Sequence, residues 1–132
     1  MTSIDDPAVR ALLDAPNHAV LSTTGADGSV HSAVVWVDVE DGKLAVNSAV
    51  GRRWPTDLER DPRTTLVVVD EENPYHYVEI RGTATSRLEG ADAHIDRLAK
   101  KYLGADRYPG HSDAETRITY LVEPRRVRVW GS

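Results

Sequence analysis

The chain has 132 residues, 28% of them charged and 40% hydrophobic, and its net charge is -5 at pH 7. That length supports one domain, spanning 1–132, with a core of its own, and the acidic balance argues against bulk attraction to nucleic acid or anionic membrane. There is no cysteine, so disulfides and thiolate metal sites are excluded. The opening MTSIDDPAVR carries no basic stretch leading into an apolar run, and no segment offers the long apolar run that a spanning helix needs; a cytoplasmic protein is expected.

In chain order, Asp5 or Asp6 suits the cap of a first helix, with Pro7 in its first turn and Val9, Leu12 and Leu13 as its apolar stripe. HAVLSTTG (18–25) alternates like a strand, and ADGS turns the chain into VHSAVVWVDVE (30–40). A second turn at Asp41-Gly42 leads to KLAVNS (43–48), which predicts a three-stranded meander. NSAVGRRWPTDLERDPR (47–63) follows, with Pro55 expected at the first position of a short helix. RTTLVVVD (63–70) reads as a strand buried on both faces. YHYVEIRGTATSRLE (75–89) reads as a long strand, bulged at Gly82, with Tyr75 and Tyr77 on one face.

GADAHIDRLAKKYLG (90–104) is amphipathic, placing Ile95, Leu98, Ala99, Tyr102 and Leu103 on one face and Gly104 at the C-terminal cap. After a loop over 104–116, TRITYLVEPRRVRVW predicts two closing strands separated by a kink or bulge at Pro124. Six to seven strands in sequential runs, with two to three short helices, describe a mainly β antiparallel barrel or sandwich rather than a doubly wound parallel sheet.

Few residues carry a signature of chemistry. The five histidines lack metal-ligand spacing, no serine sits in a nucleophile elbow, and no glycine fingerprint opens a dinucleotide site. Arg52 and Arg53, adjacent at a strand-to-helix corner, admit two readings. They are solvated charges paired with Asp57, Glu59 or Asp61, or they form an anion site together with Asn47, Ser48 and the helix start. Trp36 reads as filling the core or a dimer interface; Trp54 fits either that or the site.

The order AVLSTTGADGSVHSAVVWVDVEDGKLAVNSAVGRR, LERDPRTTLVVVD, PYHYVEIRGTAT and RVRVWG covers most of the chain and resembles the pyridoxamine-phosphate-oxidase-like split β-barrel family of flavin and deazaflavin proteins. It looks most like the actinobacterial branch that uses coenzyme F-420. The resemblance implies an FMN-binding-like split barrel and a homodimer with a cofactor site at each side of the subunit interface. It implies that Asn47, Ser48, Arg52 and Arg53 cradle the cofactor phosphate and that His31, Ser32, Ala33 and Val34 run along the ring. Tyr75 and Tyr77 would close the site, from the same or the other subunit, with solvent, Tyr77 or His31 as the proton source. The implied activity is hydride transfer from reduced F-420 to a small conjugated or electron-poor substrate; the alternatives are an FMN-dependent oxidoreductase and a non-catalytic ligand-binding protein. The polyglutamyl tail of F-420 calls for a basic groove, for which Arg60, Arg63 and Lys43 are candidates. One departure stands out: Trp54 occupies the position where the family usually carries a lysine. Arg53 compensates, or Trp54 stacks on the ligand, or the ligand differs.

Overall fold

A computed structural model describes residues 2–131. Among these, the order of elements is α1 (Pro7–Asp14), β1 (Ala19–Thr24), β2 (Val30–Val35), β3 (Asp38–Glu40), β4 (Lys43–Ala49), α2 (Arg53–Arg60), β5 (Arg63–Val69), β6 (Tyr77–Arg87), α3 (Ala91–Leu103) and β7 (Arg117–Trp130). The seven strands form one antiparallel sheet in the order β2-β1-β5-β6-β7-β4-β3. The fold is mainly β and is the expected split barrel.

The predicted meander is corrected. Residues 30–40 are two strands, and β2 and β3 lie at opposite edges of the sheet. Only Trp36 and Val37 join them. Three peptide steps reach at most about 11 Å, so the sheet curls until its edges meet at this joint. Local alternation cannot reveal such a crossing, because each half keeps a strand's period.

β6 and β7 form the spine, paired over almost all of β6. Their register shifts between Arg81 and Gly82, where Gly82 faces Pro124. A Cβ on Gly82 would lie 2.3 Å from the Glu123 carbonyl oxygen, so the bulge needs a residue without a side chain. Pro124 bends β7 without ending it, so one long strand replaces the two expected.

The interior is closed by Leu21, Leu44, Leu66, Val68, Ile80 and Tyr120, with Val9, Leu12 and Leu13 of α1 packed into the same cluster. β5 buries only its Thr64, Leu66 and Val68 face; Thr65 and Val67 are half-buried, so the expectation of two buried faces fails. Asp6 occupies the α1 N-cap position but turns its carboxylate back to the Ser3 N–H instead of capping the helix. α2 starts two residues earlier than predicted, which places Pro55 third, where an α-helix still leaves N–H groups unpaired.

α3 packs on β4 and β7 and ends at Gly104, whose φ of 71° is left-handed, as anticipated. Its buried residues are Ala91, His94, Ile95, Leu98 and Ala99, whereas Leu103 is exposed and Tyr102 half-buried. The inward face is therefore rotated toward His94. That histidine is fully buried. Its Nε2 lies 2.9 Å from Asp38 Oδ1 and its Nδ1 lies 3.0 Å from Thr119 Oγ1. A carboxylate only accepts, so Nε2 carries the proton and Nδ1 accepts from the Thr119 hydroxyl.

Candidate functional site

The end of β4 and the start of α2 form the corner noticed in the sequence. β4 pairs with β7, which sets Asn47 opposite Thr119 and Ser48 opposite Ile118. Beneath the corner opens a cavity of ≈ 390 Å³. Its polar lining is Asn47, Ser48, Arg52 and Arg117. Its aromatic lining is His18, Trp36 and Tyr108, with Val34 and Val35 of β2.

Glu115 bridges the two guanidiniums. It accepts from Arg52, and from Arg117 Nη1 at 3.0 Å. The bond from Arg117 and the charge of Arg52 hold its carboxyl below the usual carboxylate range. Arg117 is buried and its Nε donates to Asn47 Oδ1 at 3.0 Å, while Asn47 Nδ2 donates to the Ala91 carbonyl at 2.9 Å. Both ends of the Asn47 amide are thus used inside the protein. Ser48 is buried, and no side-chain hydrogen bond is formed by its hydroxyl among the described residues. The first turn of α2 has no side-chain cap, leaving the Arg53 and Trp54 N–H groups at its positive end.

Behind Asn47 stands the His94 network. Burial opposes ionisation of Asp38, but bonds from His94 and Arg97 outweigh it and hold the carboxyl below its ordinary value. Arg97 and Arg87 both donate to Glu40, extending the network to the end of β6.

Trp36 stacks on Tyr102 with centroids 5.3 Å apart and planes at 10°. Tyr102 donates to the Asn17 carbonyl at 2.7 Å, and burial pushes its hydroxyl pKa up to about 12. Tyr108 meets Trp36 edge-on at 6.1 Å. Of the two places expected for Trp36, the core is corrected: it is half-buried and lines the cavity. Trp54 instead packs in the core, edge-on to Tyr120 at 5.6 Å, with only a margin on the cavity.

Of the other residues suggested by sequence, Arg53 is largely exposed on α2, 3.8 Å from the buried Asp57. His31 and Ser32 lie on β2 nearer its start; the Ser32 Oγ is 3.0 Å from Ser22 Oγ. Tyr75 precedes β6, so it does not share a strand face with Tyr77, and it is 84% exposed. Tyr77 stacks on Trp130 at 4.9 Å. Within one chain, none of these five residues lines the cavity.

Sequence reasoning missed His18, Trp36, Tyr108 and Arg117 as cavity residues. Arg117 supplies the second guanidinium of the corner from a distant strand, and no local pattern marks it. A separate cleft of ≈ 670 Å³ on the outer sheet face is lined by Arg63, Arg81 and Arg125, hydroxyl side chains and no carboxylate. Of the other basic candidates, Arg60 donates to the Thr24 carbonyl and Lys43 begins β4. No group of three His, Asp or Glu among the described residues is arranged to hold a metal ion, and no described helix is long and apolar enough to cross a membrane.

Comparison with solved structures shows the same fold. An F420 reductase aligns over 90% of this chain and 94% of its own, with a TM-score of 0.81 and 22% identity. A conserved hypothetical protein from Mycobacterium tuberculosis aligns over 98% and 85%, with a TM-score of 0.74 and 21% identity. General Stress Protein 26 from Bacillus anthracis aligns over 93% and 91%, with a TM-score of 0.71 and 19% identity. No curated protein gives a match. The profile of the pyridoxamine 5'-phosphate oxidase family matches residues 5–131, and the chain belongs to that family.

Proposed function

We propose that this chain is a coenzyme F-420-dependent oxidoreductase that reduces a small conjugated or electron-poor substrate and works as a homodimer. The observation that carries the proposal is one cavity lined both by guanidiniums and a free hydroxyl, Arg52, Arg117 and Ser48, and by aromatic rings, Trp36 and Tyr108. A phosphate linked to a planar ring needs both kinds of wall at once.

The donor set fits a phosphate. Arg52 offers a guanidinium fork, Ser48 an uncommitted hydroxyl, and the uncapped start of α2 two N–H groups. Arg117 adds charge from behind while fixing Asn47. Arg53 and Trp54 are turned to other partners, so Arg117 takes over the part that a lysine at position 54 would play. When bound, the deazaflavin supplies the hydride; the protein orients it and excludes water. Val34 and Trp36 would flank the ring, and His18, tethered to Glu71, lines the same cavity.

The likeness in fold to an F420 reductase supports F-420 over FMN. For the dimer, support comes from Val30 and Val34, which are 71% and 69% exposed on the outer face of β2 beside the less exposed Val20.

Titration of the purified protein with oxidised F-420 and separately with FMN, following tryptophan quenching, tests the reading. F-420 binding tighter than FMN supports it, followed by turnover with reduced F-420 and a panel of acceptors. Preference for FMN moves the protein to the flavin-dependent alternative. Binding without turnover leaves a non-catalytic carrier, and binding of neither ends the cofactor assignment.

A further inference from the structure

In the loop over 104–116, which no sequence pattern explained, Tyr108 is tied both to the cavity wall and to α3. Tyr108 stands edge-on to Trp36, with centroids 6.1 Å apart and planes at 90°. The Arg117 guanidinium sits over the Tyr108 ring at 5.2 Å. The Tyr108 backbone N–H donates to Asp96 Oδ1 at 2.8 Å, and His111 Nε2 reaches the same oxygen at 2.7 Å. The His111 ring also meets Tyr108 edge-on at 5.6 Å. One carboxylate of α3 therefore fixes the loop on both sides of Pro109-Gly110.

Gly110 completes the arrangement. A Cβ there would lie 2.6 Å from the Tyr108 ring, so any side chain at 110 forces the tyrosine off its place. The Tyr108 ring is half-buried and lines the same cavity as Trp36. It contributes no charge to the anion corner.

We propose that Tyr108 is the specificity-determining wall of the cavity, which selects anions that carry a planar ring over bare anions, and that Asp96 is the residue that positions it. The inference deepens the cofactor reading above by assigning ring recognition to a loop outside the barrel, and it rests on that reading only for the identity of the ring. Aromatic contact of this kind changes affinity by about three- to tenfold.

The test compares wild type with Tyr108→Ala, Tyr108→Phe, Gly110→Ala and Asp96→Asn. The probes are F-420, FMN, 4-nitrophenyl phosphate and inorganic phosphate, followed by calorimetry and tryptophan quenching. Tyr108→Ala and Gly110→Ala are expected to weaken the ring-bearing ligands by about three- to tenfold and leave inorganic phosphate unchanged. Tyr108→Phe keeps wild-type affinity, because the ring and not the hydroxyl acts. Asp96→Asn weakens ring-bearing ligands in the same direction and raises hydrogen exchange over 104–116. Equal losses for ring-bearing and bare phosphate, or none for either, overturn the proposal. So does a wild-type protein that binds no ring-bearing probe. Wild type that binds 4-nitrophenyl phosphate, with the selective loss in Tyr108→Ala, but neither F-420 nor FMN keeps the wall and removes the cofactor assignment.

Discussion

Replacing His94 by leucine tests the network that holds the anion corner together. The side chain is fully buried and joins α3 to β3, β4 and β7 through Asp38, Asn47 and Thr119. Leucine has similar bulk, so the cost is polar. Asp38 keeps its 2.8 Å bond from Arg97, and Asn47 keeps the Ala91 carbonyl. The Thr119 hydroxyl, fully buried, keeps only the Asn47 amide at 3.4 Å. Leaving one buried hydroxyl unsatisfied costs about 1–3 kcal/mol, and the lost charged bond to Asp38 adds about 1 kcal/mol after solvent screening. Urea unfolding is expected to show a loss of about 2–3 kcal/mol. Thr119→Val in the same background removes the orphaned hydroxyl, so the double variant is more stable than the sum of the single losses predicts. A loss under about 0.5 kcal/mol, or additive effects of the two substitutions, refutes the assignment of His94 as an obligate partner of Thr119.

Arg52→Ala is expected to weaken phosphate-bearing ligands by about 1–2 kcal/mol, a charged bond reduced by the exchange of Glu115 for the ligand; unchanged affinity in calorimetry removes Arg52 from the anion corner. Glu115→Gln frees both guanidiniums of a competing carboxylate, so inorganic phosphate binds several-fold tighter by calorimetry at low salt; weaker binding refutes the competition. Asp38 has a folded pKa below its unfolded value, so its stabilisation is complete above pH of about 4 and is lost as pH falls through the lower folded value; acid titration of Asp38→Asn is flatter there than wild type. Gly82→Ala drives a methyl group against the Glu123 carbonyl and destabilises by about 1–3 kcal/mol, read as a lower urea midpoint.

Short-range patterns made much of the fold legible. The alternation of AVLSTT, the Gly82 bulge and the Gly104 cap all depend on residues within one turn or strand, where side-chain period and backbone freedom act directly. The corner proposed to hold an anion combines Ser48, Arg52 and the start of α2, which are neighbours in sequence and could be grouped there. What the tertiary structure decided is how distant segments meet. VHSAVVWVDVE reads as one strand, yet its halves form opposite edges of the sheet, because closing a twisted barrel requires one strand to cross the seam. Trp36 sits at that seam and so lines the cavity instead of filling the core. Arg117 and Tyr108 join the site from a strand and a loop far along the chain, and α3 turned His94 inward because Asp38 and Thr119 were waiting there. Periodicity reports which face of an element is apolar. It carries no information on which polar partners the opposite element presents, and that pairing places the walls and charges of this site.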